Sequence, residues 1–210
     1  MALAGISQRL GAETSSKFNA VGATASGSNL CNVHRSQRED NLLGAFSAAV
    51  TDRVRAAVTT SAPNAGEGPA GIVALASFLE GGSIEELSRV LGLSHSATLR
   101  MVDKLERGGL IERREADDAR AVAVVPTDEG KKVAAQIQRV RMEALDQLLQ
   151  PLSASERAEL ARLHEKLLKG VVASGVARGK ICRLCDLDAC GHERGRCPVT
   201  EAPGAVTDSP

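Results

Sequence analysis

The sequence predicts a mainly α-helical fold with a small β-wing: a winged helix-turn-helix domain flanked by helices that form a dimer interface. Three observations predict it. A Ser-x-x-Glu box, a glycine stop and a second serine cap fall between Ser83 and Ser94, as two short helices joined by a tight turn require. Two strand-like runs, Leu110–Arg114 and Ala121–Val125, follow behind a Gly108-Gly109 break. Long apolar stripes at helical spacing lie on both sides of this unit.

Ser83 and Glu86 open the first short helix, whose Ile84, Leu87, Val90 and Leu91 share one face. Gly92 supplies a left-handed residue that stops it, and Leu93 is expected to plug the turn. Ser94 caps a second helix running from about His95 to Arg107. Its stripe of Ala97, Met101, Val102 and Leu105 must face the core. Ser96, Thr98, Arg100, Asp103 and Lys104 are assigned to the opposite face, where they can reach phosphates and base edges in a major groove. The tip between the strands, Glu115 to Arg120, is polar throughout apart from two alanines.

The flanks follow the same logic. Residues 1–37 are rich in Ala, Ser, Gly, Thr and Asn without a period, and are read as a disordered arm. Its apolar start is too short for a secretory signal, while a transit peptide and a misassigned start stay open. Cys31 and His34 in this arm are read as a free thiol and a solvated imidazole. From Arg38 to Val58 a helical stripe runs through Leu42, Leu43, Phe46, Val50, Val54, Ala57 and Val58. A loop over 59–69 leads to a short helix from Ala70 to Glu80. Beyond the wing, Thr127 caps a helix that reaches Gln150, Pro151 breaks it, and Ser153-x-x-Glu156 opens a last helix to Ala173. A domain over 70–126 needs only one of these flanking helices for its own core. The economical assignment therefore makes 38–60 and 127–174 dimerisation helices within a unit spanning 38–174.

Composition bounds the function. Hydrophobic content of 43% fits a soluble chain, and no apolar run approaches the ~20 residues that a bilayer span needs, so no membrane partner is expected. Aromatic content of 1%, with neither Trp nor Tyr, argues against stacking on single-stranded nucleic acid. Formal net charge is zero, whereas duplex-binding domains usually carry a basic face. Between Ile84 and Arg114 stand six basic residues and five acidic ones, so placement decides rather than total. Asp103 and Glu106 can pair along the helix with the neighbours of Lys104 or with the wing, which leaves Arg100 and Arg120 to face phosphate.

In this region the sequence resembles the MarR-type winged-helix transcriptional regulators. The matching pieces are Leu87-Ser88, Leu91-Gly92-Leu93-Ser94, Val102-Asp103-Lys104-Leu105-Glu106 and Gly109-Leu110-Ile111-Glu112-Arg113. They continue through Asp118-x-Arg120 and Thr127-Asp128-Glu129-Gly130. The resemblance implies a homodimer on double-stranded DNA at a palindromic operator. It places Ser94, Ser96, Thr98 and Arg100 at the DNA, with His95 and Lys104 beside them, and Arg120 where the wing enters the minor groove. Ala119 stands where the family usually has a basic residue, which points to a weaker wing contact. The resemblance also leaves room for a small-molecule effector between the dimer helices and the winged domain.

Past Gly175 the composition changes, and residues 175–210 form a cysteine-rich tail. Cys182, Cys185, Cys190 and Cys197 fall within sixteen residues that have no apolar period to bury them. Zinc held by these four thiolates is the first expectation, with His192 able to replace one of them. An iron-sulfur cluster is the alternative, since the closing Cys197-Pro198 resembles that of bacterial ferredoxin loops, although the spacings differ. A thiol switch is the third reading. Several cysteines without a secretory signal indicate a reducing cytoplasm.

No enzyme is expected. There is no glycine-rich phosphate loop and no Ser/His/Asp arrangement, and His95, His164 and His192 share no catalytic context. The function predicted is a dimeric, sequence-specific DNA-binding transcriptional regulator with a metal or redox element at its C-terminal end. The alternatives are a winged-helix protein-interaction module and a thiol-redox protein without DNA affinity.

Overall fold

The computed structural model describes residues 27–66, 68–115 and 122–202, with side chains from 37 onward except that of residue 64. Two compact units, 1–44 and 45–210, make up the chain.

Helix α1, Gly27–Ser61, extends beyond the predicted start at Arg38. Its backbone is helical through 27–37, a stretch expected to be disordered. The composition there is poor, but adding a residue to an established helix costs far less than nucleating one. In the first unit α1 leaves Leu42 and Leu43 about half exposed. In the second, Val58 is buried and Val54 packs beside the core.

A 3₁₀ turn, Pro63–Ala65, leads into α2, Pro69–Ser77, whose proline at the first turn needs no donor. Ile72, Val73, Ala74 and Leu75 of α2 are completely buried, which makes it the central helix. Helix α3, Ile84–Leu91, opens on a complete capping box between Ser83 and Glu86 and ends at Gly92 with φ 66°, the left-handed stop the sequence calls for. Leu93 does not plug the turn; it is 42% exposed. The turn is held instead by polar bonds, since Ser88 donates its hydroxyl to the Leu93 carbonyl at 2.6 Å and accepts the Leu93 N–H on its own carbonyl at 3.1 Å.

Helix α4 covers His95–Arg107, as predicted. Strands β1, Ile111–Glu115, and β2, Val122–Pro126, pair antiparallel with Ile111 opposite Pro126. Gly81 and Gly82 add a short bridge: the Gly81 N–H donates to the Val124 carbonyl, and the Val124 N–H donates to that of Gly82. Helix α5, Asp128–Leu149, is capped by Thr127 and packs its start against the root of the wing. A Cβ on Gly130 would stand 1.9 Å from the Leu110 carbonyl oxygen, so only glycine permits this approach.

Helix α6, Ala154–Ala173, carries the second complete capping box, Ser153 with Glu156. Val172 is its one buried residue. Leu163 is 40% and Leu167 53% exposed, so the predicted apolar stripe exists and the described residues do not cover it. The tail then folds into two short helices, α7 (Arg178–Cys182) and α8 (Leu187–Cys190), where no regular element was expected. No helix among the described residues is long and apolar enough to cross a membrane.

Candidate DNA-binding face and cysteine cluster

Helix α4 is held on one side and open on the other. Met101, Val102 and Leu105 enter the core, while Ser94, His95, Ser96, Arg100 and Lys104 are exposed. The Ser94 hydroxyl accepts the Ala97 N–H at 3.3 Å and lies 3.3 Å from the Ser96 hydroxyl, which concentrates hydroxyl groups at the positive end of the helix. Arg100 is exposed, and no hydrogen bond or ion pair engages its side chain among the described residues.

Thr98 departs from expectation. It is 0% exposed, and its hydroxyl donates to the Ser94 carbonyl at 3.1 Å. Positions 98, 101, 102 and 105 form one stripe, so Thr98 belongs to the core face, with its only polar group satisfied by the preceding turn. It is removed from the DNA-contact set. Arg120 falls in the wing tip, outside the described residues.

The wing is clamped to α4 by Arg113, which pairs with Asp103 at 2.5 Å and with Glu106. The acids of α4 are thereby engaged by the strand, one of the two pairings open to them in the sequence. Residue-type reasoning did not single out Arg113. The signal was present, since strand alternation puts it on the same face as buried Ile111.

The tail lies against the helix-turn-helix. A Cβ on Gly179 would stand 2.9 Å from Val90 of α3, and one on Gly92 would stand 3.2 Å from the Lys180 side chain. Leu184 packs against the main core. Gln138 of α5 donates to the Cys185 carbonyl at 2.9 Å and lies 3.3 Å from the Ser77 hydroxyl of α2. Arg178 donates to the Thr200 carbonyl at 3.0 Å. Gln138 was not foreseen either, because nothing in local spacing relates α5 to the tail.

The four cysteines are free thiols arranged as two pairs. The Cys190 sulfur donates to that of Cys197 at 3.5 Å, and the Cys185 N–H donates to the Cys182 carbonyl at 2.8 Å in a turn that joins the other two. Among the described residues no three His, Cys, Asp or Glu side chains stand as a ready-made metal cage. The expected convergence on one point is thus seen only pair by pair. His192 turns to Thr200, with Nδ1 2.9 Å from its hydroxyl.

Within each pair the two thiols have opposite acidities. The hydrogen bond from Cys182, aided by Arg141 and Arg183 and opposed by burial, lowers Cys185 to about 6. Its partner Cys182 is raised by donating that bond and by burial. Burial and the bond donated to Cys197 push Cys190 up to about 12. Burial opposes ionisation of Cys197, yet donors from the Thr200 hydroxyl, the Thr200 and Val199 N–H groups and Cys190 hold it below the usual thiol value.

Comparison with known proteins identifies the winged unit. Residues 74–121, from α2 through both HTH helices into the wing, match the MarR family. The winged unit is similar to the MarR family over this stretch. Among curated proteins, the chain is 37% identical over 84 residues to the transcriptional repressor MprA of Escherichia coli strain K12, covering 40% of this chain and 48% of that protein. The chain thus spans about half the length of the curated relatives it matches. A MarR family protein of Bacillus stearothermophilus superposes with a TM-score of 0.53 at 26% identity, over 66% of this chain and 96% of that one. Apo wild-type MarR from E. coli does so with a TM-score of 0.50 at 24% identity, over 60% and 96%. MarR-family proteins are transcriptional regulators rather than enzymes, in keeping with the absence of a catalytic arrangement expected from the sequence. The MarR match ends before the tail, so it assigns nothing to the cysteines.

Proposed function

We propose that the chain is a transcriptional regulator that binds double-stranded DNA sequence-specifically as a homodimer. The observation that carries this reading is the presentation of α4. One face is locked into the core, and the other offers Ser94, His95, Ser96, Arg100 and Lys104 at an exposed, capped helix. Arg113 draws Asp103 and Glu106 toward the wing, which reduces the negative charge that would oppose phosphate. A neutral chain is compatible with duplex binding because what matters is the local cationic set, and a dimer doubles it.

The second copy is supported by α6. A helix of 20 residues with a single buried residue and with Leu163, Leu167 and Val171 exposed gains little from its own chain and much from a partner. Two recognition helices related by a dyad suit a palindromic operator. The tail rests on α3 and α5, so the state of its thiols is the input that sets the helix-turn-helix. That input is a bound metal or the redox state of the thiols.

A mobility-shift titration of a duplex from upstream of the protein's own gene, at several salt concentrations, tests the proposal. Binding that is displaced poorly by random duplex and weakens with salt is expected. Equal affinity for specific and random duplex, or none for either, would favour a protein-interaction module.

A further inference from the structure

The tail is larger than the core that holds it. Only Val172, Cys197, Val199 and Ala202 are buried in its hydrophobic cluster, with Leu168, Ile181, Cys182 and Cys190 partly buried around them. Helices of five and four residues cannot stand alone, and a module this small needs a cross-link or a metal. Three of the four cysteines lie in that same cluster, and Cys185 is tied to Cys182 by a backbone hydrogen bond of 2.8 Å.

We propose that Cys182, Cys185, Cys190 and Cys197 bind a metal centre as a tetrathiolate, and that this centre pins the tail against α3 and α5. This deepens the regulatory reading above by naming the ligand class of its input.

The pair geometry fits a metal edge. The Cys190 and Cys197 sulfurs are 3.5 Å apart. Two thiolates on one tetrahedral ion with bonds of about 2.3 Å stand roughly 3.8 Å apart, so the observed spacing is close to an edge of such a site. Cys182 and Cys185 supply the second pair, held by a tight turn in which the Cys185 N–H donates to the Cys182 carbonyl at 2.8 Å. Gly191, φ 72°, and Gly195, φ 60°, reverse the chain to return Cys197 to Cys190.

The backbone around Cys197 is fixed: the Thr200 and Glu201 N–H groups donate to its carbonyl at 3.1 and 3.0 Å, and the Thr200 hydroxyl lies 2.9 Å from His192 Nδ1. Outer contacts of this kind orient ligand side chains. On loading, four metal–sulfur bonds form, and each S–H that breaks releases its proton to solvent. A zinc ion would be held by all four thiolates; an iron-sulfur cluster would take the same four as ligands to its irons.

The test uses the full chain purified without oxygen. Elemental and acid-labile sulfide analysis should find either about one zinc per chain without sulfide, or iron with matching sulfide and visible colour. The metal-free, reduced chain titrated with Co²⁺ should saturate near one equivalent with thiolate charge-transfer and tetrahedral ligand-field bands. Cys185→Ser and Cys197→Ser should each weaken Co²⁺ binding at least about tenfold, whereas Cys31→Ser should leave it unchanged. The wild-type titration needs no variant to fold, and far-ultraviolet dichroism checks the variants. A wild-type chain that is isolated without metal and takes up no Co²⁺, or Co²⁺ affinity unchanged in both tail variants, would overturn the proposal. Mobility shifts on the same preparations separate the two readings: a loaded chain that ignores DNA refutes the regulator and leaves the centre standing.

Discussion

Glu86 accepts both the backbone N–H of Ser83, at 2.7 Å, and its hydroxyl, at 2.9 Å, and this reciprocal pair starts the helix on which the tail rests. Ser83→Ala should cost about 1 kcal/mol in chemical denaturation. The two bonds from Ser83, with help from Arg89, hold the Glu86 carboxyl below its ordinary value. A depressed carboxylate contributes stability above its unfolded pKa and loses it as pH falls through the folded one. Glu86→Gln should therefore be less stable than wild type at neutral pH, and the gap should close as pH falls through the lowered folded value, in parallel urea titrations. Thr98 supplies a different residue-scale outcome. Because its hydroxyl is spent on the Ser94 carbonyl inside the fold, Thr98→Val should shift stability by only about 1 kcal/mol and leave DNA affinity unchanged. A large loss of affinity at normal stability would return Thr98 to the DNA face. The sequence could not make that distinction, since a threonine satisfied by its own helix fits a core stripe and a polar edge equally well.

At the scale of elements, boundaries with chemical punctuation were readable. Ser83, Gly92, Ser94, Thr127, Pro151 and Ser153 each mark an end that the structure places within a residue or so of expectation. Ends without punctuation were not, which is why the start of α1 moved back to Gly27. The tail shows the same limit for sites: spacing identified four candidate ligands, but pairing as Cys182 with Cys185 and Cys190 with Cys197 depends on α7, α8 and the glycine reversals between them. Helix α6 carries the element-scale prediction. Leu163→Glu combined with Leu167→Glu puts charges on its exposed stripe without disturbing a buried residue, so sedimentation should change from dimer to monomer at micromolar concentration while far-ultraviolet dichroism stays the same. Retention of the dimer would place the interface elsewhere.

For the whole molecule, the account joins a reading head, a partner surface and a clamp through contacts in one compact unit, 45–210. Lys180 and Gly179 touch α3 at Gly92 and Val90, and Gln138 ties the tail's Cys185 to α5, so displacement of the tail bears directly on the turn that sets α4. The central claim is that α4 reads duplex DNA through its exposed edge. Its most direct test is fluorescence anisotropy of an operator duplex against wild type and Arg100→Ala over a range of salt. The account predicts that Arg100→Ala weakens binding by about 1–3 kcal/mol, lowers the steepness of the salt dependence and leaves dimerisation intact. Identical affinity and identical salt dependence in the two proteins would contradict it.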